Sequence, residues 1–156
     1  ELMEAVKRAF ETIAMAKVST SVAEARGYGF LSEGDAVTMN RERVLTDAKA
    51  RALELARAGY EPPIAREVGA PGESVLATLK LGVYLMRQGE YISDHDVKVG
   101  NKVAEVLCGG AVTPGTMVSE QCLLDLEREA FKSLCGERKT QERIQFTLKT
   151  GKPLRN

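Results

Sequence analysis

"GESVLATLKLGVYLMRQGEYISDHDVKVGNKVAEVLCGG", residues 72–110, is the stretch that decides the fold. Val75, Leu79, Gly82, Val83 and Met86 recur three and four apart, which is the period of an α-helix. Apolar residues cover most sides of this helix, so it is expected to be central. Ser93-Asp94-His95-Asp96 has the Ser-x-x-acid form of a helix start. There a serine oxygen accepts an early amide and the acid reaches back to the cap. Val99, Val103, Val106 and Leu107 form the expected buried stripe of this second helix, and Gly109-Gly110 stop it. Two helices in succession, with no alternating pattern between them, predict a helical core.

Reading outward gives more of the same. Towards the N-terminus, Leu2, Val6, Phe10 and Ile13 lie on one stripe of a helix over residues 2–16. Nothing caps that helix, so the chain is expected to open inside a longer pattern. Its apolar stripe is expected to seek a partner. Ser21-Val22-Ala23-Glu24 is a capping-box pattern, and Gly27 and Gly29 can end the short helix that follows. Residues 32–39 read as a loop. Asn40 can cap a helix to about Ala58, with Leu45, Ala48, Ala52 and Leu55 facing inward. Residues 59–73 hold three of the five prolines and three glycines and read as a linker. Towards the C-terminus, Ser119 can cap a helix whose inward face is Leu123, Leu126, Ala130, Phe131 and Leu134, ending at Gly136. Thr140 can cap a last helix to Lys149, closed by Gly151 and Pro153. No strand alternation appears. The predicted fold is all-α with about six helices, divided as 1–58, a linker 59–73, and a C-terminal helical region 74–156.

Composition narrows the chemistry. Apolar residues at 44% and charged residues at 28% are ordinary globular values. Aromatics are only 5% with no Trp, so Leu, Val, Ala and Met must build the core. A net charge of zero argues against a dedicated nucleic-acid binder. No apolar run is long enough to span a membrane. No charged–apolar–small leader pattern opens the chain, and the expected location is cytoplasmic. Three cysteines at wide spacing and one histidine do not make a zinc site.

Catalytic constellations are scarce. His95 is the one possible base for a Ser-His-acid set, but it sits in the first turn of a helix and is expected to be an exposed polar residue. Asp94/Asp96 and Glu127/Glu129 stand at i, i+2 and do not face each other. "GAPGE" and "GGAVTPG" lack the spacing of a phosphate loop. One asymmetry remains: residues 137–156 carry six Lys/Arg against two Glu. Lys152 and Arg155 lie past Gly151, where a helix dipole gives them little. These cations can contact an anion or a phosphate.

A family resemblance adds to this. Residues 16–56 resemble a segment of the crotonase (enoyl-CoA hydratase) superfamily. Val18-Ser19, Ala23-Glu24-Ala25 and Gly29-Phe30-Leu31 follow its pattern, with one extra residue in the first gap. Glu142, Ile144, Phe146, Leu148, Lys152 and Pro153 resemble the family's closing helix. The stretch between is similar to bacterial fused enzymes of fatty-acid β-oxidation, which join a 3-hydroxyacyl-CoA dehydrogenase to a hydratase-like part. The resemblance implies a C-terminal helical piece of such an enzyme, with NAD and a CoA thioester serving the parent. The family's oxyanion-hole amides and catalytic glutamates lie upstream, so no catalytic residue is assigned and the chain alone is expected to be inactive. It implies a scaffold, assembly or acyl-CoA-lining role, with Lys149, Lys152 and Arg155 facing CoA phosphates. Expected partners are the rest of the parent enzyme, a second copy of the chain and acyl-CoA. The competing reading is a helical interaction module unrelated to CoA.

Overall fold

Side-chain caps decide where several helices begin. In this computed structural model, which describes residues 2–156, the hydroxyls of Ser21, Ser93 and Ser119 accept the amides of Glu24, Asp96 and Cys122. The elements are α1 (Leu2–Ala14), α2 (Val22–Gly27), α3 (Val44–Arg57), β1 (Glu67–Gly69), α4 (Gly72–Gln88), α5 (Asp94–Leu107), β2 (Met117–Ser119), α6 (Glu120–Cys135) and α7 (Arg138–Thr150). The described residues are thus mostly helical, with seven α-helices. The chain divides into two compact units. One joins the chain up to Lys17 with Ala65–Asn156, and the other is Val18–Ile64.

In the first unit the central helix is α5, not α4. It packs against α1, α4 and α6. Its buried positions are His95, Gly100 and Ala104, with Cys108 just beyond its end. The expected stripe of Val99, Val103, Val106 and Leu107 is only half-buried and flanks this small-residue line. Small side chains let neighbours come close. A Cβ placed on Gly100 would stand 3.2 Å from Val83 Cγ2 and 4.0 Å from Phe10 Cζ. Val75, Leu79 and Val83 are the buried stripe of α4 and Leu76 packs beside them, while Leu81, Tyr84 and Leu85 stay exposed. Val6 and Phe10 of α1 pack on the core, so that helix is not left without cover.

A short antiparallel ribbon departs from the strand-free expectation. Glu67 pairs with Ser119 and Gly69 with Met117. Three-residue strands are too short to show alternation. The ribbon ties the start of α4 to the loop after α5. Ala70 N donates to Thr116 O at 2.8 Å, Gly72 N to Cys108 O at 3.2 Å and Glu73 N to Val112 O at 3.1 Å. The Pro/Gly stretch 59–73 therefore contains β1 and the first residues of α4.

The second unit is held mainly by polar contacts. Glu24 accepts from Thr20 N at 2.7 Å and from the Tyr28 hydroxyl at 3.0 Å. Gly29, with φ +80°, makes the turn after α2, whereas Gly27 stays helical. Asn40 caps a 3-10 turn, Arg41–Arg43, which precedes α3. The expected inward face of α3 is not buried: Leu45 is 82% exposed, Ala48 and Ala52 are exposed, and Leu55 is half-buried. The unit's own apolar surface is too small to close over it. Ala25 is its one buried apolar side chain.

Gly72 has φ +74°, and a Cβ there would lie 2.5 Å from Pro114 N and 2.7 Å from Val112 O. Gly82 lies inside α4 with nothing within 4 Å of its would-be Cβ. Gly72→Ala should therefore lose about 2 kcal/mol or more of stability. Gly82→Ala should gain about 0.5–1 kcal/mol from the lower entropy of the unfolded chain and better helix propensity. Chemical denaturation of both variants checks the contrast.

Candidate functional site

The first turn of α5 organises a polar cluster. Ser93 and Asp96 form a full capping box, with Ser93 N donating to Asp96 Oδ2 at 2.9 Å. This leaves the other Asp96 oxygen free, and Arg143 of α7 takes it: Nη1 donates to Oδ1 at 2.7 Å. Both side chains of this pair are about four-fifths buried. Burial pushes the Asp96 carboxyl up, but the Ser93 amide, the Arg143 guanidinium and the Ser93 hydroxyl outweigh it and hold the group below its usual range. With three donors on it and its pKa held low, Asp96 is an anchor and a weak base.

Arg143 also fixes the chain end. Its Nε donates to Asn156 Oδ1 at 2.8 Å, and Asn156 Nδ2 donates to Glu142 Oε2 at 2.9 Å. Gly151, left-handed at φ +68°, reverses the chain so that residues 152–156 run back beside α7. Arg143 is one of the six Lys/Arg of residues 137–156. Its partners lie 47 residues upstream and 13 downstream, so no local pattern shows them.

His95 is not an exposed polar residue. It is 2% exposed, and its Nε2 is hydrogen-bonded to Thr140 Oγ1 at 2.8 Å. Burial first, and the nearby Arg143 second, push its pKa below the ordinary histidine value. That bond also explains why Thr140 does not cap α7. Its hydroxyl is occupied, the helix starts two residues earlier at Arg138, and Glu137 at the cap pairs with Lys98 at 2.8 Å. On α6, Phe131 is 60% exposed rather than inward, while Leu123, Leu126, Ala130 and Leu134 are half-buried.

Beside the Asp96–Arg143 pair lies a cleft of about 190 Å³. Phe10, Val83, Met86, Val99 and Leu154 supply apolar walls, and Arg155 also lines it. Lys149 and Lys152 are exposed and do not line it. Among the described residues, none of the ion pairs uses Lys149, Lys152 or Arg155, although most other cations of α5–α7 are paired. Of the three expected phosphate contacts, the cleft thus holds only Arg155, beside an Arg143 already paired with Asp96. The Cys108 thiol is buried and pushed up by that burial, Cys122 is exposed, and no group of three His, Cys, Asp or Glu among the described residues could hold a metal ion. No helix among them is long and apolar enough to cross a membrane.

Comparison with known proteins gives one informative match. The "Probable 3-hydroxyacyl-CoA dehydrogenase" of Bacillus subtilis (strain 168) is 49% identical over 154 residues, 99% of this chain. The match is to a dehydrogenase. The chain spans only about a fifth, 20%, of that relative's length. The relative's name specifies the dehydrogenase and mentions no hydratase. No protein-family model matches the chain. No solved structure matches it either.

The buried histidine gives the fold a pH dependence with a definite sign. The folded chain keeps His95 neutral, while the unfolded chain takes up a proton as pH falls through about 6.5. Its stability contribution is therefore complete above that pH and is lost as pH falls towards the depressed folded value. The carboxylates that are held low, Glu24, Asp35, Asp94, Asp96, Glu105 and Glu137, act only in a more acidic window. Thermal unfolding between about pH 7.5 and 5.5 should show Tm falling in the natural chain and a flatter profile in His95→Gln. Equal slopes would remove His95 as the cause.

Proposed function

We propose that this chain is the helical part of an NAD-dependent 3-hydroxyacyl-CoA dehydrogenase of fatty-acid β-oxidation. The observation that carries the reading is the 49% identity over 99% of the chain to a protein of that name. In the fused architecture that the crotonase-like residues imply, the whole enzyme also carries an enoyl-CoA hydratase part and acts in the cytoplasm. NAD and the CoA thioester serve the whole enzyme. This chain contributes packing surface for the rest of the enzyme and cations for the nucleotide end of CoA.

Two features support the second role. Among the described residues Lys149, Lys152 and Arg155 enter no ion pair, so phosphate would not have to displace a partner found there. Residues 152–156 are held in place by Arg143, Thr147 and Glu142, so two of the three cations sit on an ordered backbone. A single exposed Lys–phosphate contact contributes roughly 0–1 kcal/mol. Specific recognition therefore needs the cations to act together, and salt should weaken it.

Isothermal titration of CoA and of a medium-chain acyl-CoA into the chain at low ionic strength tests this. Binding should weaken with added salt, and Lys152→Ala with Arg155→Ala should weaken it about three- to tenfold. Binding that ignores both salt and the double variant would remove the tail from CoA recognition. Failure to bind either compound would favour an interaction module unrelated to CoA.

A further inference from the structure

The cleft beside the Asp96–Arg143 pair lies wholly within the first unit, lined by α1, α4, α5, α7 and the chain end. Its volume is about 190 Å³. A dry cavity of about 150 Å³ takes a benzene-sized guest, so this cleft has room for an apolar group of about six to eight carbons. Its walls include Met15 and Met86, whose flexible thioethers adapt to a guest. Ala16, which also lines it, has φ +49°. A glycine would take that left-handed turn without strain. Strained backbone of this kind gathers at binding sites.

Charge decides which guest fits. The charged residues lining the cleft are Arg143 and Arg155 against Asp96, so one positive charge is left over. Arg143 gives its donors to Asp96, Ser93 and Asn156. Arg155 enters no ion pair among the described residues, so its guanidinium is the cation left for a ligand. A guanidinium pairs with a carboxylate through two parallel hydrogen bonds. A dianion would keep one charge unmatched beside Asp96, and a cation would be repelled by Arg155. A monoanion with an apolar tail satisfies both the walls and the rim.

We propose that the cleft binds a medium-chain carboxylate, with its alkyl tail between Phe10, Val83 and Val99 and its carboxylate on Arg155. The site goes beyond the CoA contact proposed above and does not rest on it, because this ligand carries no thioester, nucleotide or phosphate. Leu154 and Arg155 put apolar wall and cation on one stretch of backbone, and Arg143 holds that stretch through Asn156. The tail supplies the affinity, and the guanidinium selects the charge.

Octanoate titrated into the chain at low salt, followed by amide chemical shifts, tests this. Binding should show a Kd of roughly 0.1–1 mM, ordinary for a ligand this small. Shifts should centre on Phe10, Val83, Val99 and Leu154. Octylamine, with the same tail and the opposite charge, should bind about tenfold more weakly or worse. Arg155→Ala should weaken octanoate binding about fivefold or more. Ala14 is exposed at the cleft, so Ala14→Phe should obstruct it and weaken binding about tenfold while keeping the Tm. Octanoate that does not bind would overturn the proposal. So would octylamine that binds equally well, or an octanoate affinity that neither variant changes. A CoA titration of the same sample separates the two readings, because octanoate binding without CoA binding removes only the CoA contact.

Discussion

Close approach along one face of α5 is the constraint on which the larger unit rests. Val83 and Phe10 lie 3.2 and 4.0 Å from where a Gly100 Cβ would stand, and Ala104 and Cys108 continue the line by clustering with Val75 and Leu79. An added Cβ at Gly100 would press first on Val83 of α4, and a larger side chain at the fully buried Ala104 would disturb the cluster that α1 and α4 share. Helix packing fixes the axis first, and the polar contacts at the ends of α5 then have defined places to go. The N-terminal end receives α7, through His95, Asp96 and Lys98. The C-terminal end receives the β1–β2 ribbon through the backbone of Cys108 and the loop that follows.

This division of labour separates two kinds of cohesion. The α1–α4–α5 seam is apolar and close-packed. α7 has no buried residue of its own, so burial of apolar side chains does not explain its position. It is placed by a hydrogen bond to a buried histidine, a mostly buried ion pair and an exposed ion pair. The free energy of such contacts depends on both partners remaining in position, and removing one leaves the other desolvated and unpaired. The cationic chain end inherits its position from the same contacts, because Arg143 holds Asp96 and Asn156 together. Any role for Lys152 or Arg155 in binding therefore depends indirectly on the first turn of α5.

Much of this was legible in the sequence, and the rest failed for identifiable reasons. The Ser21, Ser93 and Ser119 caps could be read because a cap and its amide lie three residues apart. The helical class followed from periodicity. The apolar count of α4 suggests a central helix, but that count says nothing about which face has a neighbour. The small residues of α5 carry the packing instead, and small residues are weak signals in a hydropathy pattern. The places of His95, Thr140 and Arg143 are not legible locally because their partners are tens of residues away. Leu45 and Phe131 look like core in a periodic pattern, yet periodicity cannot show whether anything covers them.

The central structural claim is that α7 is held by the first turn of α5 and not by its own burial. Hydrogen–deuterium exchange on the natural chain and on Asp96→Ala tests it most directly. The account predicts that amides of residues 138–150 lose protection in the variant while those of α4 and the middle of α5 keep theirs. Loss of protection spread evenly over all helices, or an α7 that stays as protected as before, would contradict it.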